Sequence, residues 1–151
     1  MATVEMSFTP LPAHVRTARL VATAVARRSG VDEALLDEVR LAVGEACSRA
    51  VEAHRLHCPA EPVRVALTGG RERFEVVVSD CAAGEGRGEA AGEQPEEAAT
   101  ANSTGQETAV LPQELGLAVI AGLADDVEIA RTDEGLSIRM SWPSAAAAAA
   151  R

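Results

Sequence analysis

The spacing of hydrophobic positions changes several times along the chain, and each change marks an element. Thr3-Val4-Glu5-Met6-Ser7-Phe8 alternates, predicting a short strand closed by Pro10 and Pro12. From about 13 to 29, Val15, Ala18, Ala22 and Val25 recur at helical spacing, with Arg16, Arg19, Thr23 and Arg27 on the outer side. Ser29-Gly30 supplies a C-terminal stop, and Asp32 an N-cap for a longer helix that runs to about 56. In that helix Leu35, Val39, Val43, Ala46 and Ala50 form an apolar stripe, while Glu38, Glu45, Arg49 and Glu52 share another side. After Pro59 and Pro62 the period falls to two. Val63, Val65 and Leu67 alternate, Gly69-Gly70 turns the chain, and Phe74, Val76 and Val78 alternate again, which predicts a hairpin. Val77 makes the second strand apolar on both faces, placing it inside the sheet, and Asp80 stands at its end.

From Ala83 to about Leu111 the composition falls to Gly, Glu, Ala, Ser and Thr, with little that could offset the entropy of ordering. A segment of this kind at 84–112 predicts a lid, a binding loop or disorder. Helical pattern resumes over Leu115-Gly116-Leu117-Ala118-Val119-Ile120 to about Ala124. Two strands follow, Val127 to Ala130 and Leu136 to Trp142, joined by a turn at Thr132-Asp133-Glu134-Gly135. The order of elements predicts an α/β chain of the α+β kind: a two-layer sandwich with helices on one face of a mixed, mostly antiparallel sheet. One domain is expected over 1–143, followed by a frayed, disordered Ala-rich tail at 144–151.

Composition sharpens this picture. With 151 residues, 47% hydrophobic and 2% aromatic, the core must be aliphatic. No apolar run approaches the roughly 18 residues that span a bilayer. No leader opens the chain, so a cytoplasmic protein without membrane contact is expected. The net charge of −9 argues against direct nucleic-acid binding, which phosphate contacts dominate. Cys47, Cys58 and Cys81 are an odd, sparse set rather than a disulfide framework, and Cys47 reads as a small core hydrophobe. His54, His57 and Cys58 could hold a metal, but no second ligand cluster with zinc spacing accompanies them.

The long helix poses the functional question. Glu45 and Arg49 are four apart, acid first, the favourable order for an exposed ion pair worth about 0.2–0.5 kcal/mol. The same two residues also fit a pocket wall. Three separated pieces favour the pocket: Glu45-Ala46-x-x-Arg49-Ala50 with His54 beyond, Asp80-Cys81-Ala82-Ala83-Gly84 at a strand end, and Glu114-Leu115-Gly116-Leu117 opening a helix. In content and order they resemble the ATP-binding domain of the histidine-kinase, gyrase and Hsp90 ATPases. Within that superfamily they most resemble the anti-sigma-factor serine kinases of bacterial partner-switching systems, over about residues 4–142.

That resemblance implies a nucleotide site. Glu45 would be the base that prepares an attacking hydroxyl. Asp80 would receive the adenine amino group, with Gly84 close to the nucleotide. Gly116 and Leu117 would open a helix whose N–H groups meet phosphate. Where the family has a magnesium-holding asparagine, this chain has Arg49. A guanidinium has no lone pair to give a cation, so no metal ligand is expected here and Mg binding is expected to be disfavoured. Ala82 and Glu114 replace two further family glycines. The resemblance therefore implies a degenerate member: weak ATP or ADP binding, with serine/threonine kinase activity impaired or lost. It implies a sigma factor and an anti-anti-sigma (STAS-type) protein as partners, and relatives often pair as homodimers. Arg16, Arg19 and Arg27 on the first helix are the candidate docking surface.

Overall fold

The computed structural model describes residues 2–81 and 113–144. Strand β1 (Ala2–Phe8) leads into helices α1 (Pro12–Arg28) and α2 (Glu33–His57). Strands β2 (Val63–Gly69) and β3 (Arg73–Ser79) precede helix α3 (Gln113–Leu123), and strands β4 (Asp126–Thr132) and β5 (Gly135–Pro143) close the fold. The expected loop at 84–112, and Ala82 and Gly84 within or beside it, lie outside the described residues.

The local signals account for the helix boundaries. Pro12 opens α1, where its fixed φ suits the first turn and its missing N–H costs nothing. The Asp32 carboxylate accepts the Ala34 N–H at 3.0 Å and caps α2. The five strands form one sheet in the order β1-β2-β3-β5-β4. Among the described residues its four pairings are all antiparallel, so the mostly antiparallel sheet expected is here wholly so. Each sequential strand pair is a hairpin or near neighbour, and β3–β5 is also closed antiparallel, so no parallel crossover is needed.

Helices cover one face of the sheet. Val63, Val65, Leu67, Phe74, Val76, Val78, Leu136, Ile138, Met140 and Trp142 point to that face and are buried. They meet Val15, Ala18, Ala22 and Ala26 of α1 and Leu36, Val39, Val43 and Ala46 of α2. The α2 stripe is therefore shifted: Leu36 is the buried leucine, and Leu35 is only half-buried. Trp142 is one of the few aromatics, packed 6.2 Å from Phe74, with its indole N–H on the Leu123 carbonyl at 3.0 Å. This bond pins the end of α3 to β5.

Ser144 follows directly on β5. It is buried, its N–H donates to the Glu72 carbonyl at 2.9 Å, and its hydroxyl donates to the Ser29 carbonyl. The tail beyond it, 145–151, lies outside the described residues. Among the described residues, no helix is long and apolar enough to cross a membrane. On the face of the sheet opposite the helices, a shallow depression of about 530 Å³ is lined by Glu5, Ser7, Arg64, Ala66, Val77 and Ser79. It lies across the sheet from α2.

Candidate functional site

The polar side of α2 faces α3 and the end of β3. Arg49 is only 8% exposed, far from the solvated state of a surface ion pair. Burial depresses its pKa, and the charges of Glu45 and Asp80 hold it up. Glu45 is half-buried beside it, and among the described residues its Oε2 has no hydrogen-bond partner. Glu38 and Glu52, on the same side, are half-buried as well.

Gly116 explains how α3 comes so close. A methyl carbon placed on it would lie 2.7 Å from Glu45 Oε2 and 3.1 Å from Arg49 Nη1. The first turn of α3, through this glycine, thus rests directly on the acid and the cation of α2. Leu117, next to it, is half-buried and packs on the core. Sequence periodicity alone could not decide this, because a solvated pair and a pocket wall share the same spacing. The neighbour with no side chain decides it.

Asp80 is fixed from the opposite side. Its N–H donates to the Leu136 carbonyl at 2.9 Å, and the Leu136 N–H donates to its Oδ1 at 3.1 Å. The carboxylate, not the main-chain carbonyl, thus takes the next rung of the ladder after Ser79–Ser137. The displaced carbonyl turns toward Gly135, whose φ is +146°. Asp80, Arg49 and Glu45 therefore form one electrostatically coupled group, with Gly116 against it.

The charge balance of this group sets a pH dependence. Burial lifts the Glu45 carboxyl above its ordinary 4.5, while Arg49 opposes the shift. A raised pKa in the folded state means that the protonated form suits the fold better. Glu45's contribution is then fully present below pH 4.5 and is lost as pH rises through the raised value. Glu45→Gln, which mimics the protonated group, is expected to gain stability relative to the parent as pH rises from about 4 to 7. Urea midpoints measured across that range check this; parallel curves would contradict it.

Of the three arginines proposed for docking, two lie on the surface. Arg16 is exposed, and Arg27 is exposed but paired with Glu33 at 3.1 Å. Arg19 is half-buried. Its Cδ lies 2.7 Å from where a Gly44 side chain would begin, so the arginine lies across α2. Near it, burial pushes the Cys47 thiol up to about 12, against the pull of Arg19, as expected for a core cysteine.

The cysteines yield a correction. Cys58 and Cys81 are joined by a disulfide with Cα atoms 6.7 Å apart, linking the end of α2 to the residue after Asp80. His57 is exposed and stands apart from the group of His54, Cys58 and Cys81. His54 is fully buried, and both its nitrogens are engaged: Nδ1–H donates to the Glu61 carbonyl at 2.8 Å, and Nε2 accepts the Cys81 N–H at 3.0 Å. That pairing makes it a satisfied core histidine, ill suited to ligate a metal. Sequence reasoning missed this pair because both cysteines stand at element ends, and only the fold brings those ends together.

Comparisons with known proteins bear on the fold and the family. No curated protein matches the chain. The fold is similar to the crystal structure of the RsbU and RsbW domains of Rv1364c from Mycobacterium tuberculosis, with a TM-score of 0.62 and 16% identity. That match covers 94% of this chain and 32% of the other, so this chain spans about a third of that protein's length. The model of the histidine kinase-like ATPase domain matches residues 8–142, nearly the whole sequence, and the chain belongs to that family.

Proposed function

We propose that this chain is an anti-sigma-factor-like regulator of a cytoplasmic partner-switching pathway. It would bind a sigma factor, an anti-anti-sigma (STAS-type) protein, or each in turn. Its pocket would bind ATP or ADP weakly, with Mg·ATP use diminished or lost. Family membership supports the nucleotide site, and the similarity to a protein with an RsbW domain supports the pathway.

The observation that carries the reading is buried Arg49, coupled in charge to both Glu45 and Asp80. The donor set does not fit a magnesium ion. Arg49 offers no lone pair, and it repels a cation by roughly 4 kcal/mol per unit charge at 4 Å with an effective dielectric of 20. Protein binding needs only the scaffold, and Arg16 and Arg27 of α1 remain the candidate contacts.

One observation favours a second reading, an active protein serine kinase. Glu45 combines a raised pKa with an oxygen that no described residue engages, the condition of a general base awaiting a proton. Incubation with labelled ATP, magnesium and an anti-anti-sigma protein separates the two. The first reading expects capture of the partner without label transfer. Transfer that Glu45→Ala abolishes would establish the kinase instead.

A further inference from the structure

The Cys58–Cys81 disulfide lies beside the candidate nucleotide site and takes no part in the function proposed above. It joins cysteines 23 positions apart in sequence, and both are half-buried, within reach of a small thiol. Cys58 caps α2, and Cys81 is the residue after Asp80. Both stand at the ends of elements, where the bond can open without disturbing the core between helices and sheet. We propose that Cys58 and Cys81 are a reversible thiol–disulfide site, reduced by a dithiol and reoxidised by a low-molecular-weight disulfide, whose state governs how firmly Asp80 is held.

The buried imidazole favours one direction of opening. Because Nε2 of His54 accepts the Cys81 N–H, the ring proton stands on Nδ1, whose main acceptor is the Glu61 carbonyl at 2.8 Å, with Cys81 Sγ a second, weaker acceptor at 3.7 Å. A donor beside Cys81 Sγ makes that sulfur the better leaving group. A thiolate of the reductant attacks Cys58 Sγ, the S–S bond breaks, and its electron pair leaves on Cys81 as a thiolate, which takes a proton from water. The reductant's second thiolate then attacks its own sulfur in the mixed disulfide. That forms the reductant's disulfide and releases Cys58, which is protonated in turn. Two electrons and two protons reach the protein. Reoxidation by oxidised glutathione runs the same exchange backward and yields two reduced glutathione molecules.

The consequence for Asp80 follows from its restraints. On one side stands the pair of hydrogen bonds with Leu136. On the other is Cys81, held by its disulfide and by the N–H bond to His54. Reduction removes the covalent half of the second restraint. A metal at the same residues is the competing use of this group, but it would have to break one of the His54 hydrogen bonds.

Hydrogen exchange of the whole chain in reduced and oxidised glutathione mixtures tests this. The expected result is one reversible two-electron transition, with exchange about tenfold faster at the Cys81 and Leu136 amides on reduction and unchanged at the α2 core over 39–43. Cys58→Ser should show the fast rates in both buffers; should it fail to fold, the comparison on the parent still decides. Equal rates in the two states, loss of protection throughout, or stoichiometric zinc in the reduced protein would each overturn the proposal. The link to nucleotide rests on the reading given above, so ADP is titrated into both states as well. Tighter binding by the oxidised form supports the link. If neither form binds ADP, the nucleotide reading fails, while the exchange rates still decide whether the disulfide governs Asp80.

Discussion

Gly135→Ala is expected to cost at least about 3 kcal/mol of stability. Two effects act together. The backbone at Gly135 has φ +146°, where a side chain is strained whatever the space around it. The added carbon would also lie 2.0 Å from the Asp80 carbonyl oxygen, a main-chain atom that cannot swing aside. Relief requires the β4–β5 turn to withdraw from the end of β3, which breaks the Asp80–Leu136 hydrogen bonds as well. Gly122→Ala is the control, because nothing lies within 4 Å of its added carbon. In a helix that change is expected to be neutral or to stabilise by up to about 1 kcal/mol. Urea unfolding of both variants provides the comparison. A loss below about 1 kcal/mol for Gly135→Ala would mean that Asp80 does not approach the turn as described.

Arg49→Asn is expected to make ATP binding depend on magnesium, with at least about a tenfold gain in affinity when the ion is added. The substitution removes the repelling charge from beside Glu45 and supplies an amide oxygen able to ligate a hard cation. Arg49→Lys keeps the charge and should show no such gain. The pair of variants therefore separates charge from shape. Because Asn also leaves Glu45 and Asp80 without their cation, Arg49→Asn should be less stable than the parent in the absence of magnesium and recover part of that loss when the ion and ATP are present. Calorimetric titration and melting curves, each with and without magnesium, give both quantities.

How far the sequence reveals this arrangement depends on the range of the interactions. The alternation of Leu136, Ile138, Met140 and Trp142 is a local pattern, and all four side chains are buried on the helix-covered face. The cap at Asp32 and the stop at Ser29-Gly30 are likewise local, and both helix ends fall where those residues place them. Arg19 is different. A helical wheel puts it beside Arg16, yet its long aliphatic stem lies over Gly44, and only the packing of α1 on α2 reveals that. Arg49 is the most instructive residue. Its spacing from Glu45 suits open solvent equally well, and it is the approach of Gly116, far along the chain, that buries it. The chemistry of the three separated pieces was legible as a resemblance to an ATPase domain. The disulfide was not, because nothing in the chain between two cysteines 23 positions apart marks which element ends will meet.

The central claim is that a cation built into α2 has made a nucleotide site unfit for a divalent metal. The most direct test is calorimetric titration of ATP into the unmodified protein, once with magnesium and once with a chelator. The account expects weak binding of the same strength in both, within about threefold. An affinity that rises by about tenfold or more with magnesium would contradict it.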